Sequence, residues 1–199
     1  MSEPQVFIIE SLDPQNPREG EILERALKVM RKKPIYRYIE TRAQFEEAIE
    51  EFRRSRIRYL HISCHGNKDG IWTTKDFIPT AEAAMILAKV MNRRRLFLSS
   101  CQVTRRTLAE AVFAKATCYS IAGPRGSIRF DDAMVFWIAF YHIMFKADRF
   151  KMKRAMLKRK ITLCANMVEE RINVFLRDDD GGATLFPVGR HVNRPMPAD

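Results

Sequence analysis

The chain has 199 residues, 46% hydrophobic and 30% charged, a balance that fits one globular domain with a terminal extension and excludes a disordered or membrane-spanning chain. No stretch approaches the roughly 20 apolar residues of a membrane helix, and the opening Met-Ser-Glu-Pro-Gln lacks the basic and apolar regions of a signal peptide, so a cytoplasmic location without membrane contact is expected. Four cysteines, Cys64, Cys101, Cys118 and Cys164, form no CxxC pair and suggest neither a zinc ribbon nor a disulfide framework. The net charge of +11 suits association with nucleic acid, an anionic surface or an acidic protein, and says nothing about chemistry.

In chain order, Val6 to Ser11 predicts a buried strand that empties into the breaker-rich run Leu12 to Pro17. Apolar residues at helical spacing from Glu19 to Arg31, with acids early and bases late, predict a helix ended by Pro34. A strand over Ile35 to Glu40 follows, and Thr41 is placed to cap a helix from Arg42 to Arg54. Ile57 to Cys64 reads as a third strand, which sets His65-Gly66-Asn67 at its carboxyl end. A small hairpin over Gly70 to Ile78 and a helix from Pro79 to about Met91 lead to a strand at Arg95 to Ser99. Cys101 falls just past that strand, at the turn into a helix from Val103 to Lys115. Thr117 to Ala122 predicts a fifth strand ending at Gly123-Pro124. Helices through Phe136 to Met144 and from Lys151 to about Glu169 follow, then a strand at Arg171 to Arg177. Residues 178–199 read as a C-terminal extension, acidic and rich in glycine and proline, with one short strand at Thr184 to Val188; residues 1–177 form the domain proper.

Strands alternating with helices imply an α/β fold, a mostly parallel sheet with helices on both faces. Ligands in such sheets bind beyond the carboxyl ends of the strands, where both His65 and Cys101 fall. A cysteine nucleophile acts as its thiolate, and a free thiol with a pKa near ~8.5 needs an imidazole, a positive field or a helix N-terminus to reach it. His65 supplies the imidazole and the following helix the field; the backbone N–H groups of Gly66 and Cys101 are candidate donors to an oxyanion. Packing is the favoured role for each residue alone, and their joint placement brings chemistry level with it.

The blocks Leu60-His61-Ile62-Ser63-Cys64-His65-Gly66 and Leu96-Phe97-Leu98-Ser99-Ser100-Cys101, followed by Asp131-Asp132-Ala133 with Phe136, Phe140 and Tyr141, resemble the caspase-like cysteine peptidases of clan CD. The similarity is strongest to the CHAT peptidases, relatives of caspases and separases, and it spans most of the chain. It implies a caspase-haemoglobinase-like fold and a cysteine endopeptidase with His65 and Cys101 as catalytic dyad, with no metal and no organic cofactor. It also implies control by a regulatory protein partner or a larger assembly, and by analogy a place in a bacterial defence or stress pathway. In separase-like relatives an acidic residue in the matching region receives a basic side chain. That makes Asp131 and Asp132 candidate substrate-binding residues, Asp132 ahead of Asp131, with helix capping as the competing role. Arg125 and Arg129 offer the opposite preference, for an acidic residue before the cut. The Gln-Ala-Cys caspase signature is absent, and the interval from His65 to Cys101 is shorter than the roughly 50 residues typical of caspases.

The remaining candidates are weaker. Cys64, Cys118 and Cys164 fit inert packing, and His61 and His142 fit core histidines. Trp72 and Phe77 follow the His65 loop and either line a substrate groove or join an aromatic core. The basic stretch of Lys146, Arg149, Lys151, Lys153, Arg154, Lys158, Arg159 and Lys160 offers contacts to nucleic acid or an acidic partner, or forms a solvated helix face. A catalytically silent binding scaffold and a basic nucleic-acid-binding protein on a peptidase fold are the rival functions.

Overall fold

The computed structural model describes residues 5–148 and 151–189. Arg149 of the basic stretch and residues 190–199 lie outside the described residues. The main sheet takes its parallel part from β1 (Val6–Ser11), β2 (Ile35–Tyr38), β3 (Tyr59–Gly66), β6 (Arg95–Ser99) and β7 (Ser120–Pro124). Two antiparallel strands, β8 (Ile172–Arg177) and β9 (Ala183–Val188), complete the order β2-β1-β3-β6-β7-β8-β9. A hairpin of β4 (Gly70–Trp72) and β5 (Phe77–Pro79) grows from the far end of β3, where His65 pairs with Trp72 and Gly66 with Ile71.

Helices cover both faces, as the alternation of strands and helices predicts. One face packs against α2 (Arg42–Ser55), α3 (Thr80–Ala88) and α4 (Arg106–Phe113) through Phe7, Ile9, Leu60, Ile62, Leu96, Leu98 and Ile121. The other packs against α1 (Glu19–Val29), α5 (Phe130–Ala147) and α6 (Arg154–Met167) through Val6, Ile8, Tyr59, Phe97 and Ala122. The sheet's central strands are therefore buried on both sides and show no polar face to water. On the second face, α5 seats Phe136, Trp137, Phe140 and Tyr141 around Phe97, with ring centroids 5.3–5.7 Å from Phe97 for the last three. Each such fully buried aromatic contributes on the order of 2–3 kcal/mol of hydrophobic stabilisation. Thr41 begins α2 with a capping box: Gln44 N–H donates to its hydroxyl and the Gln44 side chain accepts from its amide.

Three boundaries near the candidate site differ from expectation. β3 runs on to Gly66, because the β4 hairpin supplies His65 and Gly66 with a strand partner, so His65 lies within a strand. The helix expected from Val103 begins only at Arg106, since Gln102 turns left-handed (φ 58°) and Arg105 is extended. The chain between them is tied down where Asn173 Nδ2 donates to the Thr104 carbonyl at 2.8 Å. β7 starts later than predicted and continues through Gly123-Pro124, paired with β8. A Cβ on Gly123 would sit 2.4 Å from the Leu98 carbonyl oxygen and from Thr104 Oγ1, so only glycine permits this approach. Among the described residues no helix is long and apolar enough to cross a membrane.

Candidate active site

The parallel register pairs Ser63 of β3 with Ser99 of β6; His65 stands two residues further along β3, and Cys101 two residues further in the turn that follows β6. Between them the chains touch at Gly66. A Cβ there would lie 2.3 Å from Val103 Cγ2, 2.4 Å from Ser100 Oγ and 3.2 Å from the Cys101 carbonyl oxygen. Glycine at 66 thus sets how closely the His65 and Cys101 segments approach, a second role beside the expected freedom of its N–H.

Cys101 is partly exposed, while Cys64, Cys118 and Cys164 are buried. Burial pushes the thiols of Cys64 and Cys118 up to about 12 and that of Cys164 up to about 11, so all three stay protonated. Cys64 points to the opposite side of β3 from His65 and meets Ser100 Oγ at 3.6 Å. The field expected at Cys101 from a following helix is absent, because four residues separate it from the start of α4. In its place, the segment after β7 wraps the sulfur: Ile128 N–H donates to Sγ at 3.5 Å, and Sγ–H reaches the Ile128 carbonyl at 3.8 Å. The same segment accepts the Gln102 amide at Gly126 O, 3.1 Å away, holding the left-handed turn beside the thiol.

His65 is exposed on one side and edges against the Phe130 ring, with centroids 5.9 Å apart. Its Nε2 lies 3.0 Å from Asn16 Nδ2, in the loop between β1 and α1. By local pattern Asn16 is only a turn residue, although that loop also leaves the carboxyl end of a parallel strand and belongs to the same crevice. Glu19, the first residue of α1, is buried beneath the site with Ser63 Oγ donating to its Oε2 at 3.3 Å. Burial raises its carboxyl to about 8, and the neighbouring Glu10 adds to the rise. Glu10, also fully buried, accepts from the Gly20 amide at 2.5 Å and from the Tyr36 hydroxyl at 2.6 Å. The only sequence signal for either was an acid at a position the strand and helix patterns mark as interior.

Asp131 and Asp132 both fall in the first turn of α5. The Arg129 guanidinium holds Asp131 at 2.9–3.0 Å and lowers its carboxyl below the usual range, whereas Asp132 is half-buried and outside that pair. Arg125 is exposed, with its amide bonded to Arg171 O. Trp72 and Phe77 meet across the hairpin with their rings tilted by 42° and centroids 4.4 Å apart, next to His65. His61 is a core residue, 5.0 Å from the Trp137 ring and 3.3 Å from the Tyr141 hydroxyl, and burial drives it down to about 3, hence neutral. His142 departs from expectation: it is exposed on the outer side of α5, lining a shallow pocket with Met30 and Lys146. Among the described residues no three His, Cys, Asp or Glu side chains are grouped to hold a metal ion.

No protein-family model and no curated protein sequence matches this chain. Its fold is similar to that of an inactive zymogen C11 protease from Parabacteroides distasonis, with a TM-score of 0.54 and 10% identity over 88% of this chain. The chain spans 62% of that protein's length. Separase from Saccharomyces cerevisiae, solved in complex with securin, aligns with a TM-score of 0.46 and 9% identity over 94% of this chain and 12% of separase. The mostly parallel sheet with helices on both faces is therefore the caspase-like fold of clan CD cysteine proteases.

Proposed function

We propose that the chain is a cysteine endopeptidase of the caspase-like kind, CHAT-type in its motifs, acting through Cys101 and His65. The observation that carries this reading is the placement of the exposed imidazole at the end of β3 and the partly exposed thiol in the turn just past β6, its parallel neighbour, at the carboxyl edge of the sheet, while the other cysteines are sealed in the core. In the reaction, the Cys101 thiolate attacks the scissile carbonyl, and the tetrahedral oxyanion is met by the backbone N–H groups of Gly66 and Cys101. Collapse forms a thioester and expels the amine, which takes its proton from the His65 imidazolium. Water activated by the same imidazole then hydrolyses the thioester and returns the thiol. Asn16 positions the ring at Nε2; for Nδ1 to exchange the proton with sulfur, Nε2 keeps its hydrogen and the Asn16 amide presents Oδ1 to it, turned over from the orientation that sets Nδ2 there.

Asp132 is the better candidate for receiving a basic side chain before the cut, because Arg129 already neutralises Asp131. A protein partner or assembly that completes the substrate groove is consistent with a chain of this size, and a cytoplasmic protein substrate fits the same reading. A peptide library assayed with wild-type protein and with Cys101→Ala tests the proposal. Cleavage after Arg or Lys, weakened by Asp132→Asn and lost in Cys101→Ala, is the expected result. Turnover surviving in Cys101→Ala would end the mechanism, and a preference for Asp untouched by Asp132→Asn would end the basic-pocket assignment alone.

A further inference from the structure

At the opposite end of the parallel strands, roughly 20 Å from the candidate dyad by the length of β3, lies a concavity of about 340 Å³ lined by Arg56, Arg58, Asn92, Arg93, Arg94 and Tyr119. Four of its six lining residues carry a guanidinium and none carries a carboxylate. The nearest acids in sequence are engaged elsewhere, Glu50 with Arg53 and Arg54, and Glu51 with Arg37. Like charges gathered in one hollow repel, and the arrangement becomes favourable when an anion occupies it.

The hollow is built from backbone that holds its residues in place. Arg56 and Arg93 both adopt left-handed conformations, φ 60° and 57°, where glycine or asparagine would be less strained. Arg94 lies flat on the Phe52 ring, 4.2 Å from its centroid, and spends two N–H groups on the carbonyls of Phe52 and Arg53 at 3.0–3.1 Å. Burial, then the neighbouring Arg53, presses its charge down, a cost that an anion beside it relieves. Tyr119 adds an aromatic ring that stays 40% exposed amid these cations.

We propose that this pocket binds a nucleotide, its phosphate held by Arg56, Arg93 and Arg94 and its base stacked on Tyr119. Guanidinium forks match phosphate oxygens, an exposed ring among cations is the arrangement by which bases are held without sequence preference, and the volume lies in the range of small-ligand sites. The same chemistry is presented by a free nucleotide or by one residue of a single-stranded nucleic acid. The site is independent of the peptidase reading and of the Lys146 to Lys160 stretch.

The test is fluorescence anisotropy of the full chain with a short labelled single-stranded oligonucleotide, followed by competition with ATP and with inorganic phosphate. Arg56→Asn with Arg93→Asn removes two charges while keeping residues that tolerate a left-handed backbone. This double variant should weaken binding about tenfold or more and flatten its salt dependence, and Tyr119→Ala should weaken it by about tenfold. The control pair Lys151→Gln with Lys153→Gln removes the same charge from the other basic segment and should change affinity by less than about twofold. Displacement by ATP identifies a free nucleotide as sufficient; displacement only by unlabelled oligonucleotide identifies a strand. Equal losses from the arginine and lysine pairs, or an unchanged affinity in Tyr119→Ala with inorganic phosphate competing as well as ATP, would overturn the proposal. Thermal unfolding of each variant separates a lost site from a lost fold.

Discussion

The rim of the candidate site and the layer two residues beneath it are made by the same strands, yet their polar groups are in opposite states. On the rim, His65 faces solvent with Asn16 at its Nε2, and Cys101 is half-open under the Ile128 backbone. Beneath, on the same face, Ser63, Ser99 and Glu19 are fully buried, and further down His61 is packed among aromatic rings. One step along β3 in the other direction of the pleat, Cys64 is sealed into the opposite core. Chemical type does not separate these groups, since both regions hold a histidine and a carbonyl-rich backbone, and a cysteine lies next to each. Solvation does: desolvation leaves His61 and Cys64 uncharged across the neutral range and keeps Glu19 mostly protonated up to about pH 8.

The largest effect that tests this contrast is on stability. Because the folded-state value of Glu19 is raised from 4.5 to about 8, its contribution is fully present below pH 4.5 and is lost as pH rises through about 8. Across that window the wild-type chain should lose on the order of 5 kcal/mol that Glu19→Gln retains. Denaturant unfolding of both proteins between pH 5 and pH 9 checks it; parallel pH profiles would show that Glu19 is ionised or hydrated in the native state.

A smaller effect is expected where rim and layer meet. Gly66→Ala places a methyl group into Val103 and Ser100, so the two strand ends must separate. The expected loss in kcat/KM is about 100-fold, the order caused by a misplacement near 1 Å, with the fold retained. Activity within a few-fold of wild type would mean that the approach of the two segments is not what aligns the reacting groups. Smallest is Asn16→Ala, which should lower kcat about tenfold with KM unchanged and alter the tautomer populations of His65 seen in its ring-nitrogen NMR shifts. Unchanged nitrogen shifts would reduce Asn16 to a turn residue.

How much of this was legible in the sequence follows the same division. Strands buried along their whole length and built on a short apolar run, such as Val6–Ser11 and Arg95–Ser99, are readable to the residue, as is the Thr41 cap, because local pattern and tertiary packing agree there. Elements beside the site were misjudged where a distant segment decides. β3 extends to Gly66 only because the hairpin pairs with it, and α4 starts late because Asn173, far along the chain, fixes Thr104. His142 followed the apolar pattern of its helix and still faces solvent, since an 18-residue helix shows a covered stripe on one side only. Asn16 and Glu19 were invisible for a related reason: each acts through a partner some forty to fifty positions away, His65 and Ser63, and no local periodicity encodes that meeting.

The most direct test of the central claim is thiol reactivity in the folded protein. Wild-type protein and His65→Ala are treated with a peptide-based electrophile, and the modified cysteines are mapped by mass spectrometry over time. The expected result is labelling at Cys101 well ahead of Cys64, Cys118 and Cys164, with the Cys101 rate falling at least about tenfold when His65 is replaced. Modification of a buried cysteine while Cys101 stays intact, or labelling of Cys101 at the same rate without His65, would contradict the dyad.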